Sequence, residues 1–230
     1  MDRSLESVLR QLRSGFPSRP KDFPQSIVLC GLRDVRDYKV ASGSSHTLGT
    51  ASPFNIKPDS LTLACFTQAE VSTLYLQHTA ATGQQFEHAA LIEAWRLTEG
   101  QPWLVNALAN EVVAKMKVPV SETITVAHLE EAAQRLIVAR ATHLDSLVAK
   151  LNEDRVCRVL EPVLAGSSEL GSSNYDDELL YVRDLGLIAP KDPVRVANPI
   201  YREVIIRVLA ARVTPVIVFE RPSFVNAQCE

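Results

Sequence analysis

A chain of 230 residues, 46 % hydrophobic and 22 % charged, has the composition of a folded protein and the length for one large domain or two smaller ones. The formal net charge of -3 excludes a general attraction to nucleic acid or to anionic membranes, so such binding would need a local patch. No apolar run reaches membrane-spanning length and the start is amphipathic, so we expect neither a membrane segment nor a signal peptide.

The four cysteines are Cys30, Cys65, Cys157 and Cys229, and no two of them form a C-x-x-C motif. This wide spacing is typical of reduced thiols rather than of a disulfide framework or a zinc site, and we expect the thiols to be mostly buried. The cysteines therefore predict a cytoplasmic protein, and no metal site is predicted.

The amino-terminal part predicts one helix and one strand. Residues 5–12 carry apolar side chains at helical spacing, and Gly15 ends this first helix. Residues 26–31, with the sequence SIVLCG, form a continuous apolar run that predicts a strand buried on both faces of a parallel sheet. Because no comparable run occurs elsewhere before residue 60, we expect residues ahead of Met1 to supply the rest of this sheet.

Two arginines follow this predicted strand at its carboxyl end, the edge where open α/β sheets bind ligands. Arg33 and Arg36 are therefore candidates for phosphate contact, and ion pairs with Asp34 and Asp37 are the alternative. Residues 41–58 are rich in serine, glycine, threonine and proline, and they predict a long surface loop.

The central part predicts a small helical bundle. A short strand over residues 61–66 precedes Thr67 and Glu70, whose spacing is the signature of a capping box, and Gly83 ends the helix that follows. The remaining predicted helices cover residues 87–98, residues 102–117, and a longer pattern that begins after Thr125 and extends to Leu147.

The chain is organised around the connection between the second and third helices of this bundle. Gly100 is expected to supply the left-handed end of one helix, and Pro102 suits the first turn of the next. The resulting tight corner directs Pro102, Trp103 and several free N–H groups to one side, a surface that suits a flat, partly anionic ligand such as a nucleotide. The alternative is a helical turn whose Trp103 packs in the core.

From about residue 154 the predicted organisation is that of a winged-helix unit. Its elements are a helix from residue 154, a helix over residues 176–185, two strand-like pieces at residues 187–189 and 194–196, and a helix from residue 199. The second helix, where a DNA-reading helix would lie, carries four acidic side chains against one arginine. Because these carboxylates repel phosphate, we expect docking to other protein domains rather than DNA binding.

Several stretches together give the chain a family resemblance. They are LRQLR at residues 9–13, SIVLCGLRDVRDY at 26–38, SPFNI at 52–56, FTQAEV at 66–71, TEGQPWLVN at 98–106 and ANPIYREV at 197–204. With these stretches the chain resembles, up to about residue 209, the carboxyl-terminal part of a bacterial AAA-like P-loop ATPase, close to the STAND class of signalling ATPases.

The resemblance implies a mostly α fold with a partial α/β sheet. Its implied parts are a piece of a P-loop NTPase core (residues 1–60), a helical lid (61–150), a winged helix (151–212) and a tail (213–230). It further implies that Arg33 senses the terminal phosphate of ATP, and that Gly100, Gln101, Pro102 and Trp103 form the contact for the adenine of ATP or ADP. Other protein domains or a second copy of the chain are the implied partners.

The sequence departs from this family in one respect that bears on activity. It contains no Gly-x-x-x-x-Gly-Lys-Ser/Thr motif and no acidic Walker B strand end. Without a phosphate cradle, a magnesium ligand and a water-orienting acid, we expect no catalytic residue, no ATP hydrolysis, and weak or absent nucleotide binding by this chain. Either the P-loop region lies upstream, the gene is a remnant, or a partner supplies the missing part.

Two other functions remain open at the level of the sequence. One is a winged-helix DNA-binding regulator. The other is a protein-interaction module without a ligand, in which the edge of the predicted strand at residues 26–31 pairs with another chain.

Overall fold

The computed structural model describes residues 3–31, 61, 63–139, 142–166 and 177–213. Within these residues the regular structure is helical, with nine α-helices and no β-strand, so the expected mostly α fold is confirmed. The chain divides into two compact units, Met1–Ala64 with Arg183–Leu185, and Cys65–Val182 with Gly186–Glu230.

The helices are α1 (Arg3–Gly15), α2 (Gln68–Thr82), α3 (His88–Thr98), α4 (Pro102–Asn110), α5 (Val126–Val138), α6 (Thr142–Lys150), α7 (Asp154–Leu164), α8 (Asp177–Asp184) and α9 (Pro199–Val213). A 3-10 turn, Phe16–Ser18, follows α1, and a π-helical turn, Glu111–Lys115, continues α4. None of the described helices combines the length and apolar character needed to cross a bilayer.

The first unit corrects the prediction of a partial sheet. Residues 26–31 form no strand, and Val28 and Leu29 are 83 % and 42 % exposed. A buried strand needs a neighbouring strand for its backbone hydrogen bonds, and the described part of this unit contains none. The strand predicted over residues 61–66 is not formed at residue 61 or over residues 63–66, the described part of that range, and Leu61 and Leu63 are exposed.

Residues 32–60, with Arg33, Arg36 and the predicted surface loop, lie outside the described residues, as does the tail from residue 214.

The cysteines correct a second expectation. Cys30 and Cys65 are exposed and Cys157 is half-buried, so the expectation of mostly buried thiols is wrong for the cysteines that the structure describes. Cys30 is exposed because it lies in the apolar run that lacks a pairing strand. These three cysteines are free thiols, and Cys229 lies outside the described residues.

The second unit opens with the predicted capping box. The Thr67 backbone N–H donates to Glu70 Oε2 at 2.7 Å, and the Glu70 N–H donates to Thr67 Oγ1 at 3.3 Å. Gly83 ends α2 in the left-handed region at φ 82°, as its position after the last apolar residue predicts. Both ends of α2 are therefore confirmed.

The bundle is built from α2, α3, α4 and α5, with α3 in contact with each of the others. Its apolar core includes Val71, Tyr75, Ala94, Leu97, Leu104, Val105, Leu108, Leu129, Ala132 and Leu136.

Gln84 attaches the loop before α5 to the end of α2. Its Nε2 donates to the carbonyl oxygens of Val118, Pro119 and Glu122 at 3.0–3.3 Å.

Two predicted helices differ from the observed ones. The helix predicted over residues 102–117 is α-helical only to Asn110 and continues as the π-helical turn. The long pattern after Thr125 forms two helices, α5 and α6, with residues 140–141 outside the described part. Thr125 occupies the N-cap position of α5 as predicted, and its backbone N–H donates to His128 Nδ1 at 3.1 Å.

The described carboxyl-terminal part contains α7, α8 and α9 in the predicted order, but the two strand-like pieces predicted at residues 187–189 and 194–196 form no β-strand and are joined only as a short hairpin. The hairpin consists of one antiparallel bridge between Ile188 and Val196, flanked by a hydrogen bond from the Ala189 N–H to the Arg195 carbonyl at 2.7 Å. Asn198 Oδ1 accepts from the Tyr201 N–H at 2.8 Å and so caps α9. Helix α9 contacts α3, α5 and α6.

Candidate functional site

The corner between α3 and α4 is as tight as the sequence predicts. Glu99 and Gly100 both adopt left-handed backbone conformations, at φ 47° and 73°, and Gln101 occupies the N-cap position of α4. Pro102 is the first residue of α4, where its missing N–H removes no helical hydrogen bond. Only three residues therefore connect the two helices.

Gly100 is fixed against the backbone of Phe66. The Phe66 N–H donates to the Gly100 carbonyl at 2.8 Å, and the Trp95 indole N–H donates to the Phe66 carbonyl at 3.3 Å. A Cβ at residue 100 would collide with that same Phe66 carbonyl. Gly100 is thus required for a close backbone approach as well as for its left-handed conformation.

The N–H groups at the corner are used within the chain. The Gly100 and Gln101 N–H groups donate to the Thr98 hydroxyl and carbonyl at 3.2 and 3.0 Å. The Leu104 N–H donates to Gln101 Oε1 at 2.6 Å, and the Val105 N–H donates to the Gln101 carbonyl at 2.9 Å. The expectation of several free N–H groups at this helix start is therefore wrong for these four groups.

Two of the predicted contact residues are accessible at the corner. Pro102 is exposed and Trp103 is half-buried, whereas Gly100 is buried and the Gln101 side chain acts as the helix cap. The structure thus brings together Gly100, Gln101, Pro102 and Trp103. Arg33 lies outside the described residues.

The electrostatic environment of the corner is set by Glu99. Its carboxylate forms an ion pair with Arg195 of the hairpin, with 3.2 Å between Oε2 and Nη2. Although Cys65 is exposed as a residue, partial burial of its thiol, and then the negative charge of Glu99, raise the pKa of this thiol. Cys65 is therefore protonated at neutral pH and adds no charge to the corner.

Comparisons with protein-family models, curated proteins and solved structures give no match. The resemblance to AAA-like ATPases therefore rests on the motifs quoted above. No group of three or more histidine, cysteine, aspartate and glutamate side chains that could hold a metal ion occurs within the described ranges.

A recess lies beside the corner, along the α4 helix and its π-helical turn. Its volume is about 310 Å³, and its lining residues are Trp103, Asn106, Ala107, Asn110, Lys115 and Leu136. Only Trp103 among these residues was predicted from the sequence. The spacing of residues 103, 106 and 110 could have indicated the two asparagines, because it places one aromatic ring and two amides on one helical face.

Proposed function

We propose that this chain is the sensor, lid and winged-helix part of an AAA-like, ATP-binding signalling ATPase, and that the α3–α4 corner contacts the adenine. The observation that carries the proposal is the exposed Pro102 ring at the start of α4, next to the half-buried Trp103. The order of bundle, helices, hairpin and α9 is consistent with a lid followed by a winged helix.

The corner suits adenine because its accessible part is flat and apolar while its backbone is rigid. Phe66 and Thr98 hold the Gly100 backbone, so the Pro102 ring keeps one position. A ring that does not reorient loses little conformational entropy when a planar base packs against it. The corner contributes recognition of the base, and it provides no group that binds phosphate.

The phosphate groups of ATP or ADP would be contacted by Arg33, with magnesium bound in a complete enzyme. The sequence has no P-loop motif with its lysine and no Walker B strand end, so we expect no residue of this chain to take part in phosphoryl transfer. A phosphate cradle contributes several charge-assisted hydrogen bonds of about 1.5–3 kcal/mol each. Without it, we expect the chain to bind ATP with a dissociation constant in the millimolar range or weaker.

Glu99 links the corner to the winged-helix part. Its carboxylate bonds Arg195 of the hairpin, and the Arg195 Nη1 also donates to the Val196 carbonyl at 3.4 Å. A nucleotide that displaces Glu99 breaks this link. The proposed response to nucleotide is therefore a change in how the hairpin is held.

Saturation-transfer NMR with ATP at millimolar concentration tests the adenine contact. We expect the adenine protons to receive more saturation than the ribose protons, and Pro102→Ala to reduce this transfer by at least half. Pro199→Ala is the matched control, because Pro199 is also the first residue of a helix. Equal transfer in wild type and both variants, or transfer without preference for adenine, contradicts the proposal.

A second arm uses the chain joined to a P-loop region, where binding is expected to return to the micromolar range. In that protein Arg33→Ala should spare ADP affinity and reduce the response to ATP. Isothermal titration with each nucleotide measures both effects. Unchanged nucleotide affinity and turnover in Pro102→Ala and Arg33→Ala would mean that the corner is only a packed turn.

A further inference from the structure

The recess beside α4 has walls of distinct chemistry. Trp103, Asn106 and Asn110 lie at three- and four-residue spacing on one face of the helix, and the buried Leu136 of α5 provides an apolar surface. The volume of about 310 Å³ is at the lower end of the range for small-molecule sites. A ligand that fits it has one or two rings.

The π-helical turn brings a positive charge to this recess. The Met116 N–H donates to the Glu111 carbonyl, five residues earlier, at 2.8 Å, and Lys115, the last residue of the turn, lines the recess. The turn thus continues the aromatic and amide stripe of α4 with an ammonium group.

Glu111 holds this ammonium group in place. Glu111 is 3 % exposed, and its carboxylate bonds Lys115 Nζ at 2.9 Å and Arg135 Nε at 2.8 Å. Burial alone would raise the pKa of Glu111, but the hydrogen bonds from Lys115 and Arg135 outweigh burial and lower it, so the carboxylate is ionised. Arg135 also pairs with Glu131, with 3.8 Å between Nη1 and Oε1, so two carboxylates face these two cations. The Lys115 side chain is 51 % exposed, so its ammonium group remains accessible to a ligand.

The remaining polar groups in the recess can donate hydrogen bonds to a carboxylate. An ammonium group has three donors, and Glu111 takes one of those on Lys115. Asn106 Nδ2 donates to the Pro102 carbonyl at 3.2 Å, while Asn110 has an exposed side chain whose amide can donate to a second oxygen. Trp103 provides an aromatic surface on which a ring can pack.

We propose that this recess binds a small planar aromatic acid, with its ring against Trp103 and its carboxylate bonded to Lys115 and the Asn110 amide. The recess shares Trp103 with the proposed adenine contact but is not lined by Pro102, so substitution of Pro102 separates the two proposals. Lys115 is the residue that selects an acid over a neutral ring. Glu111 is a positioning residue that acts through Lys115.

Proton–nitrogen NMR of the indole groups tests this site with benzoate as the probe and benzamide as its neutral counterpart. The chain has two tryptophans, and Trp95 serves as an internal control because its indole N–H bonds the Phe66 carbonyl and it does not line the recess. We expect benzoate to shift the Trp103 signal, to leave the Trp95 signal in place, and to bind with millimolar affinity. Benzamide should bind about tenfold more weakly.

Two lysine variants identify the anion contact. Lys115→Gln should weaken benzoate about tenfold, which corresponds to one charge-assisted hydrogen bond, and should leave benzamide unchanged. Lys117→Gln makes the same charge change at an exposed residue that does not line the recess, so it should have no effect. Asn110→Ala provides a second test, with an expected loss of about threefold.

The proposal is overturned if benzoate and benzamide shift Trp103 equally, or if Lys115→Gln and Lys117→Gln behave alike. It is also overturned if both indole signals move together, which would indicate nonspecific binding. Pro102→Ala should leave benzoate binding unchanged, so that failure of the adenine contact and failure of this site are distinguished by separate measurements.

Discussion

Replacing Gly100 by alanine tests the close contact on which the α3–α4 corner depends. At φ 73° an alanine costs about 1–2 kcal/mol, the penalty for an L-residue in the left-handed region. Its Cβ also collides with the Phe66 carbonyl, which forces the two backbones apart and removes the 2.8 Å hydrogen bond from the Phe66 N–H, worth about 1 kcal/mol. Together the two effects should lower the free energy of unfolding by roughly 2–3 kcal/mol.

Gly83→Ala separates these two contributions. Gly83 has φ 82° at the end of α2, but nothing lies within 4 Å of the position that a Cβ would take. This control therefore has the backbone penalty of about 1–2 kcal/mol without the collision, and any change in unfolded-chain entropy is common to both variants. Urea unfolding followed by circular dichroism, analysed by linear extrapolation, gives both values. Equal destabilisation by the two substitutions would refute the argument that Phe66 holds the corner.

Two further predictions concern acid stability and nucleic acid. Hydrogen bonds from Lys150, then Arg155, and also Tyr181 lower the pKa of Glu153 from its ordinary value of 4.5 to about 2. A carboxyl group whose pKa is lowered in the folded state stabilises the fold when the pH is above the ordinary pKa of that group. This stabilisation is lost as the pH falls towards 2. Glu153→Gln should therefore destabilise the chain at pH 7 and much less near pH 2, with Glu161→Gln on α7 as the control in urea unfolding. A gel shift with mixed genomic fragments should detect no salt-dependent binding, because α8 is acidic and its Glu178 bonds Arg158. A retarded band at moderate salt would favour the DNA-binding alternative.

The helix ends could be predicted because their causes are local in sequence. The Thr67–Glu70 capping box, the left-handed Gly83 and the proline at the start of α4 each depend on residues within four positions of one another. The strand prediction for residues 26–31 failed for the opposite reason. An apolar run becomes a buried strand only when another strand pairs with it, and its own residues do not determine whether one is present.

The candidate site could likewise be predicted only where its features depend on residues close in sequence. The left-handed Gly100 and the position of Pro102 follow from the sequence, but the contact between Gly100 and Phe66 joins residues 34 positions apart. The bond of the Leu104 N–H depends on the rotamer of Gln101 and that of the Gly100 N–H on the rotamer of Thr98, and the sequence reveals neither rotamer. The recess could not be predicted either, because it requires the π-helical turn and Leu136 from a different helix.

The packing of α9 on the bundle determines how much binding free energy a ligand must supply in order to detach α9 and so act as a switch. Ile200, Tyr201, Val204 and Ile205 are nearly inaccessible to solvent, and α9 contacts α3, α5 and α6. Exposing just two such side chains would cost roughly 3–6 kcal/mol. A shift of a two-state equilibrium from 1:99 to 99:1 requires a difference in binding free energy of about 5.5 kcal/mol between the states. A ligand that detaches α9 must therefore bind the detached state on the order of 10⁴-fold more tightly.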